Sequence, residues 1–98
     1  PALTMITVSV RYHNILRNRA GLEQESMELP QGTGTGEAIH RLAERHVPGL
    51  ATMLLSPEGG LSAHLVVFLN GQLVFPEKQP LPLADGDELK LFPTISGG

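Results

Sequence analysis

Residues 83–98 read Leu-Ala-Asp-Gly-Asp-Glu-Leu-Lys-Leu-Phe-Pro-Thr-Ile-Ser-Gly-Gly. Asp85-Gly86-Asp87 is a tight turn, because Asp side chains bond nearby backbone groups and Gly accepts a positive φ. Glu88 to Phe92 is a strand, with Leu89 and Leu91 on one face and Phe92 on the other. Pro93 ends it, since proline donates nothing to a sheet. Thr94-Ile95-Ser96-Gly97-Gly98 then leaves as a tail from a fixed strand end. Extended, a tail of this length reaches roughly 17 Å. Glycine lets its backbone come close to another surface, at an entropic cost that a purely structural end would not need.

Working back along the chain, Leu65 to Leu69 (LVVFL) is a continuous apolar run, followed by Asn70-Gly71 and by Gln72 to Phe75. Asn-Gly between two such runs is a hairpin signal, because both turn positions want φ > 0. Leu65, Val67 and Leu69 take one face of this strand and Val66 and Phe68 the other. A single helix covers a single face, so one set points away from it, and Phe92 joins that set. Grouped there, Phe68 and Phe92 would mark a partner surface. The alternative is that Leu50 to Leu55 (LATMLL) or a loop covers them.

Towards the N-terminus, Ile6, Val8 and Val10 alternate with Thr7 and Ser9, which predicts a strand over Met5–Val10. Glu25 to Leu29 returns as its partner after a loose connection through Asn14, Asn18 and Gly21. Glu37 to Val47 places Ala38, Ile39, Leu42 and Ala43 on one helical face. Thr33 or Thr35 would cap its start, and Glu37 suits the positive end of the helix dipole. His46 falls in the last turn, and Pro48-Gly49 ends the helix. Leu50 to Leu55 adds one short helical turn. Pro76, Pro80 and Pro82 make an irregular crossing. The expectation is an α+β fold with a mixed four- to five-stranded sheet and one main helix on one face. Residues 1–93 would form the domain and residues 94–98 a flexible tail.

Composition narrows what such a domain can do. At 98 residues it buries roughly 65% of its unfolded surface, enough for one core but not for a deep catalytic cavity beside it. A net charge of −3 does not favour nucleic acid or an anionic membrane surface. There is no cysteine, which rules out disulfides, thiolate catalysis and thiolate metal sites. The N-terminal PALTMITVSV lacks a signal-peptide pattern and no apolar run reaches membrane length, so a cytoplasmic location is expected.

Other candidate motifs have simpler readings. Gln31 to Gly36 (QGTGTG) lacks the Lys-Ser/Thr of a phosphate loop and reads as a helix lead-in. His40 and His46 leave different helix faces, and with His13 and His64 they show no metal-ligand spacing, so no metal is expected. No Ser lies in a nucleophile elbow. Arg11, Arg17 and Arg19 form a basic cluster whose default is a solvated face and whose alternative is an acidic partner.

At these residues the chain resembles the MoaD/ThiS branch of the ubiquitin-like, β-grasp superfamily, over nearly its whole length. Leu16-Arg17 and Gly21 fit, as do the helix TGEAIHRLAERHVPGL and the VFLNG before the second hairpin. LADGDELKLFPTISGG fits best: an Asp-Gly-Asp turn, a strand ending Phe-Pro, an apolar and a small residue, then Gly-Gly. The resemblance implies a sulfur carrier rather than an enzyme. An E1-like adenylating enzyme would use ATP to activate the Gly98 carboxylate, and a sulfur donor would displace AMP to leave a thiocarboxylate. The acceptor would be the large subunit of molybdopterin synthase, or an enzyme making thiazole, cysteine or a thiolated nucleoside. Gly98 carries over as the activated residue and Gly97 as its slender neighbour. Phe92, Ile95 and Ser96 would lie in the partner's groove and Phe68 on the partner-facing sheet surface. No cofactor is bound by the carrier itself. A protein modifier, joined through Gly98 to a lysine, shares the chemistry up to the adenylate.

Overall fold

The computed structural model describes residues 4–46, 49–75 and 81–94. Eight elements follow in order: β1 (Met5–Tyr12), α1 (Ile15–Ala20), β2 (Gln24–Pro30), α2 (Thr35–Arg45), α3 (Ala51–Leu54), β3 (Leu65–Leu69), β4 (Gln72–Val74) and β5 (Glu88–Pro93). The five strands form one mixed sheet in the order β2-β1-β5-β3-β4. β1 runs parallel to β5, with Val10 beside Leu89 and Tyr12 beside Leu91, and the other pairings are antiparallel. This is the β-grasp arrangement. The last strand in sequence is the central strand in space.

Alternation builds the core. Ile6, Val8, Val10 and Tyr12 of β1 are buried, as are Met27 and Leu29 of β2, Val67 of β3, and Leu89 and Leu91 of β5. Ala38, Ile39, Leu42 and Ala43 of α2 close over this face, as their spacing predicts. Leu50 and Leu54 beside and within α3 are fully buried in the same core, so this segment covers the helix side of the sheet. The alternative cover for the other face is thereby removed from α3.

Tight turns fix the strand ends. Asn70 (φ 51°) and Gly71 (φ 84°) both take positive φ, which aligns β3 and β4 in a two-residue hairpin. The Asn70 side chain also ties the hairpin to β5: its amide donates to Asp87 (2.9 Å) and its carbonyl accepts the Glu88 N–H (2.9 Å). In the Asp-Gly-Asp turn, Asp85 accepts the Thr7 N–H at 2.7 Å and the Gly86 N–H donates to the Thr7 carbonyl at 2.8 Å. The start of β5 is thus fastened to β1.

Three local expectations are corrected. The connection after β1 is not a loose loop but a helix, α1, stapled by buried Leu16 and closed by Gly21 at φ 78°. Neither Thr33 nor Thr35 caps α2: Gly34 is the N-cap residue, Thr33 Oγ1 donates to the Pro30 carbonyl (2.6 Å), and Thr35 is buried one position inside. The lead-in is held by backbone pairing instead, with the Thr35 N–H on the Leu81 carbonyl (3.0 Å) and the Leu83 N–H on the Thr33 carbonyl (2.9 Å). The helix itself ends at Arg45, before the expected Val47, with His46 as its C-cap residue. Gly49 passes so close to α1 that a Cβ there would lie 3.0 Å from the Arg19 carbonyl oxygen.

Candidate functional site

The open face of the sheet divides into two halves. On the β1–β2 side it carries the polar Thr7, Ser9, Arg11, Gln24, Ser26 and Glu28, with Met5 beside Pro30 at its far end. On the β3–β4–β5 side it carries Val66, Phe68, Leu73 and Phe92, because Val66 faces Phe92 and Phe68 faces Leu73 across the ladders, with Lys90 of β5 opposite Phe68 on its other flank. The structure brings the two expected aromatic residues together: the Phe68 and Phe92 rings meet edge to face with centroids 5.5 Å apart. Both are half-buried. Leu73 is 51% exposed and Phe75, two residues further along the chain, 55%. Among the described residues no helix covers this face, and apolar side chains grouped on such a face form a surface suited to another protein.

The same half of the sheet holds the last described residues of the chain. β5 runs as far as Pro93, which pairs with Leu65 of β3. The ladder continues one step further, because the Thr94 N–H donates to the His64 carbonyl at 2.8 Å. On the other flank the His13 N–H donates to the Leu91 carbonyl at 3.1 Å. Two apolar clefts open beside Thr94. One, of about 500 Å³, lies among Leu61, Ala63, Val66, Leu73 and Phe75. The other, of about 400 Å³, lies among Ile15, Met53, His64, Leu65 and Pro93. Both share Ser62, Leu65 and Thr94 as wall. Ile95, Ser96, Gly97 and Gly98 lie outside the described residues.

One residue of this region escaped the sequence reading. His13 stacks flat on Phe92, ring centroids 4.1 Å apart and planes 6° from parallel. Three rings, His13, Phe92 and Phe68, therefore run in a row across the open face. Position 13 continues the outward alternation of Thr7, Ser9 and Arg11, but only the parallel pairing with β5 sets it beside Phe92.

The charged clusters elsewhere have structural partners. Arg11 donates to Gln24 at 3.1 Å and lies 4.0 Å from Glu88, and Arg17 lies 4.0 Å from Glu23. The largest polar node is on the helix side. The Glu25 carboxylate accepts from the Tyr12 hydroxyl, from Arg45 at 2.6 Å and from His46 Nε2 at 2.6 Å. Burial alone would raise the Glu25 pKa, but the three donors outweigh it and hold the carboxyl below its ordinary value. The same node, burial first and the carboxylate second, pushes the Tyr12 hydroxyl well above the ordinary tyrosine value. Among the described residues no three His, Asp or Glu side chains gather as a metal site. No helix of the described residues is long and apolar enough to cross a membrane.

Comparison with known proteins bears on this geometry. The sequence profile of the ThiS family matches residues 10–98. The comparison with curated proteins finds no match. Among solved structures the chain is similar to SAMP1, the small archaeal modifier protein 1 of Haloferax volcanii, at 28% identity and a TM-score of 0.82, over 94% of this chain and 99% of that one. It is similar to a chain of the Amycolatopsis orientalis BexX/CysO complex at 29% identity and a TM-score of 0.64, over 93% and 99% of the two chains. It also shares the fold of a Pyrococcus furiosus chain provisionally assigned as molybdopterin converting factor subunit 1, at 24% identity and a TM-score of 0.73, over 92% and 99%.

Proposed function

The chain belongs to the ThiS family of ubiquitin-like sulfur carriers and modifiers, and from that premise we propose that it carries sulfur on the carboxylate of Gly98. The observation that supports this most is the reach of the family profile, which runs through Gly97-Gly98 to residue 98. A terminal carboxylate with a pKa of about 3.5 is ionised at neutral pH and is a poor electrophile until its charge is masked. An E1-like adenylating enzyme supplies that mask from ATP: the carboxylate oxygen takes the AMP group and pyrophosphate leaves. Sulfur at the sulfide level, as hydrosulfide, then attacks the acyl carbon, its C–S bond replaces the C–O bond to AMP, AMP leaves with that oxygen, and Gly98 ends in a thiocarboxylate. With no cysteine in the sequence, no thiol side chain competes for the sulfur.

The body's part is to present this end. Thr94 is pinned to β3 through His64, so the four residues that follow start from a fixed point. Phe68 and Phe92 offer the apolar face on which a partner rests while Ile95, Ser96 and Gly97 enter its groove. Glycine at 97 keeps the chain thin where the partner must close on it. The sulfur passes to a biosynthetic acceptor, the large subunit of a molybdopterin synthase or an equivalent enzyme of cysteine, thiamine or tRNA thiolation. The carrier needs no bound cofactor and no catalytic side chain.

Removing Gly98, or changing Gly97→Val, tests the reading. Both variants are expected to keep the melting temperature of the wild type and to lose adenylation, read as ATP–pyrophosphate exchange with the host's activating enzyme. A normal exchange rate in the deletion variant would overturn the proposal. The likeness to SAMP1 favours a second reading, a modifier joined to lysine. Gly98 isopeptide conjugates in the host proteome distinguish it, since the carrier reading needs none.

A further inference from the structure

His13 sits where β1 leaves the sheet, beside the last aromatic residue of β5. Its ring covers one face of Phe92, and Phe68 abuts Phe92 on another side. Phe92 is thus held between two rings, and it lies two residues before Thr94, the pinned base of the tail. A protein that takes hold of Gly98 must also cover this face, because the chain from Thr94 to Gly98 spans only about 14 Å when extended. Nε2 of His13 is enclosed and has no hydrogen-bond partner among the described residues. A buried polar atom left unpaired costs free energy, and a phenylalanine at this position would stack as well without it.

Resting on the carrier reading above, we propose that His13 is a positioning residue for docking of the activating enzyme: its uncharged ring, stacked on Phe92, sets the orientation of Phe92 that the enzyme's apolar groove receives. The imidazole adds to a plain aromatic ring a dependence on acidity. Burial, and then the cationic Lys90 of β5, Arg11 of β1 and Arg17 of α1, disfavour its protonated form, against the weaker pull of Glu23 before β2. The His13 pKa therefore lies below its ordinary value of 6.5. A depressed histidine stabilises its site fully above the unfolded value and loses that contribution as pH falls through the folded one. Acidification puts a proton on a ring whose enclosed Nε2 has no acceptor among the described residues, which disfavours the stacked position and with it the support of Phe92. The docking surface is intact at neutral pH and loosened in acid.

Two variants separate this from a merely structural role. In ATP–pyrophosphate exchange with the host's activating enzyme, His13→Ala is expected to raise KM for the carrier by roughly fivefold at neutral pH, the size an aromatic pair carries, with kcat unchanged. His13→Phe, which keeps the stack, is expected to match the wild type at neutral pH. As pH falls below the ordinary histidine value of 6.5 and on through the lower folded one, the wild-type KM rises relative to that of His13→Phe, a ratio in which the enzyme's own titration cancels. An unchanged KM in a folded His13→Ala variant, or a wild-type to His13→Phe ratio that does not move with pH, overturns the proposal. Absence of exchange in the wild type overturns the carrier reading and this inference with it. A partner-free measurement bears on the stack alone: in NMR titration the Phe92 ring signals are expected to shift together with those of His13, and signals that stay still while His13 titrates contradict it.

Discussion

Glu25 is the residue at which the shortest described ion pairs meet. It joins Tyr12 of β1 to Arg45 and His46 at the end of α2, so one carboxylate fastens sheet and helix together. Glu25→Gln removes the charge and leaves donors facing a weaker acceptor, which is expected to cost about 1–3 kcal/mol in urea unfolding at pH 7. The pH dependence follows from the sign of the shift. Glu25 titrates below its ordinary 4.5 in the folded state, so its contribution is complete above 4.5 and is lost as pH falls through the folded value. The gap between wild type and Glu25→Gln should therefore shrink in acid. The raised Tyr12 hydroxyl acts at the other end of the scale: its contribution holds below the ordinary value of 10.0 and declines as pH rises beyond it, a decline that Tyr12→Phe should remove. None of this was legible in sequence. Tyr12, Glu25 and His46 are far apart along the chain, and nothing in their spacing brings them to one point.

At the level of elements, short-range chemistry read well where it was local. Asn70-Gly71 announced its hairpin because the turn itself demands two positive φ values, and both residues have them. Gly71→Ala is expected to destabilise by about 1 kcal/mol through the strained φ alone. Asn70→Ala should cost more, since it also removes the two side-chain bonds to Asp87 and Glu88, and thermal unfolding of the two variants checks the order. The helix face of α2 was equally plain from its period. α1 was not, because six residues with one buried leucine leave no period to read. The α2 cap was misplaced for a related reason: Thr33 and Thr35 are good cap residues in isolation, but pairing with residues 81–83 fixes the entry through Gly34 and engages Thr33 elsewhere.

For the whole molecule, the decisive feature is the parallel pairing of the first strand with the last. It places β5 at the centre of the sheet, buries Leu89 and Leu91 completely, and delivers the end of β5 between His13 and His64. Leu89→Ala should cost roughly 2–5 kcal/mol and lower the melting temperature by several degrees for each, while leaving Phe68 and Phe92 untouched. Sequence alternation identified the two faces of β3 and β5, so the meeting of Phe68 and Phe92 was within reach. The place of His13 was not, because it depends on a sheet order set by the global packing. If the sheet serves to present a chain end, that end should be found loaded. The most direct test is the intact mass of the protein purified from its native host. The account predicts a population in which one oxygen of the Gly98 carboxylate is replaced by sulfur. A chain whose terminus is always the unmodified carboxylate while its activating enzyme is present, or one that continues past Gly98, would contradict it.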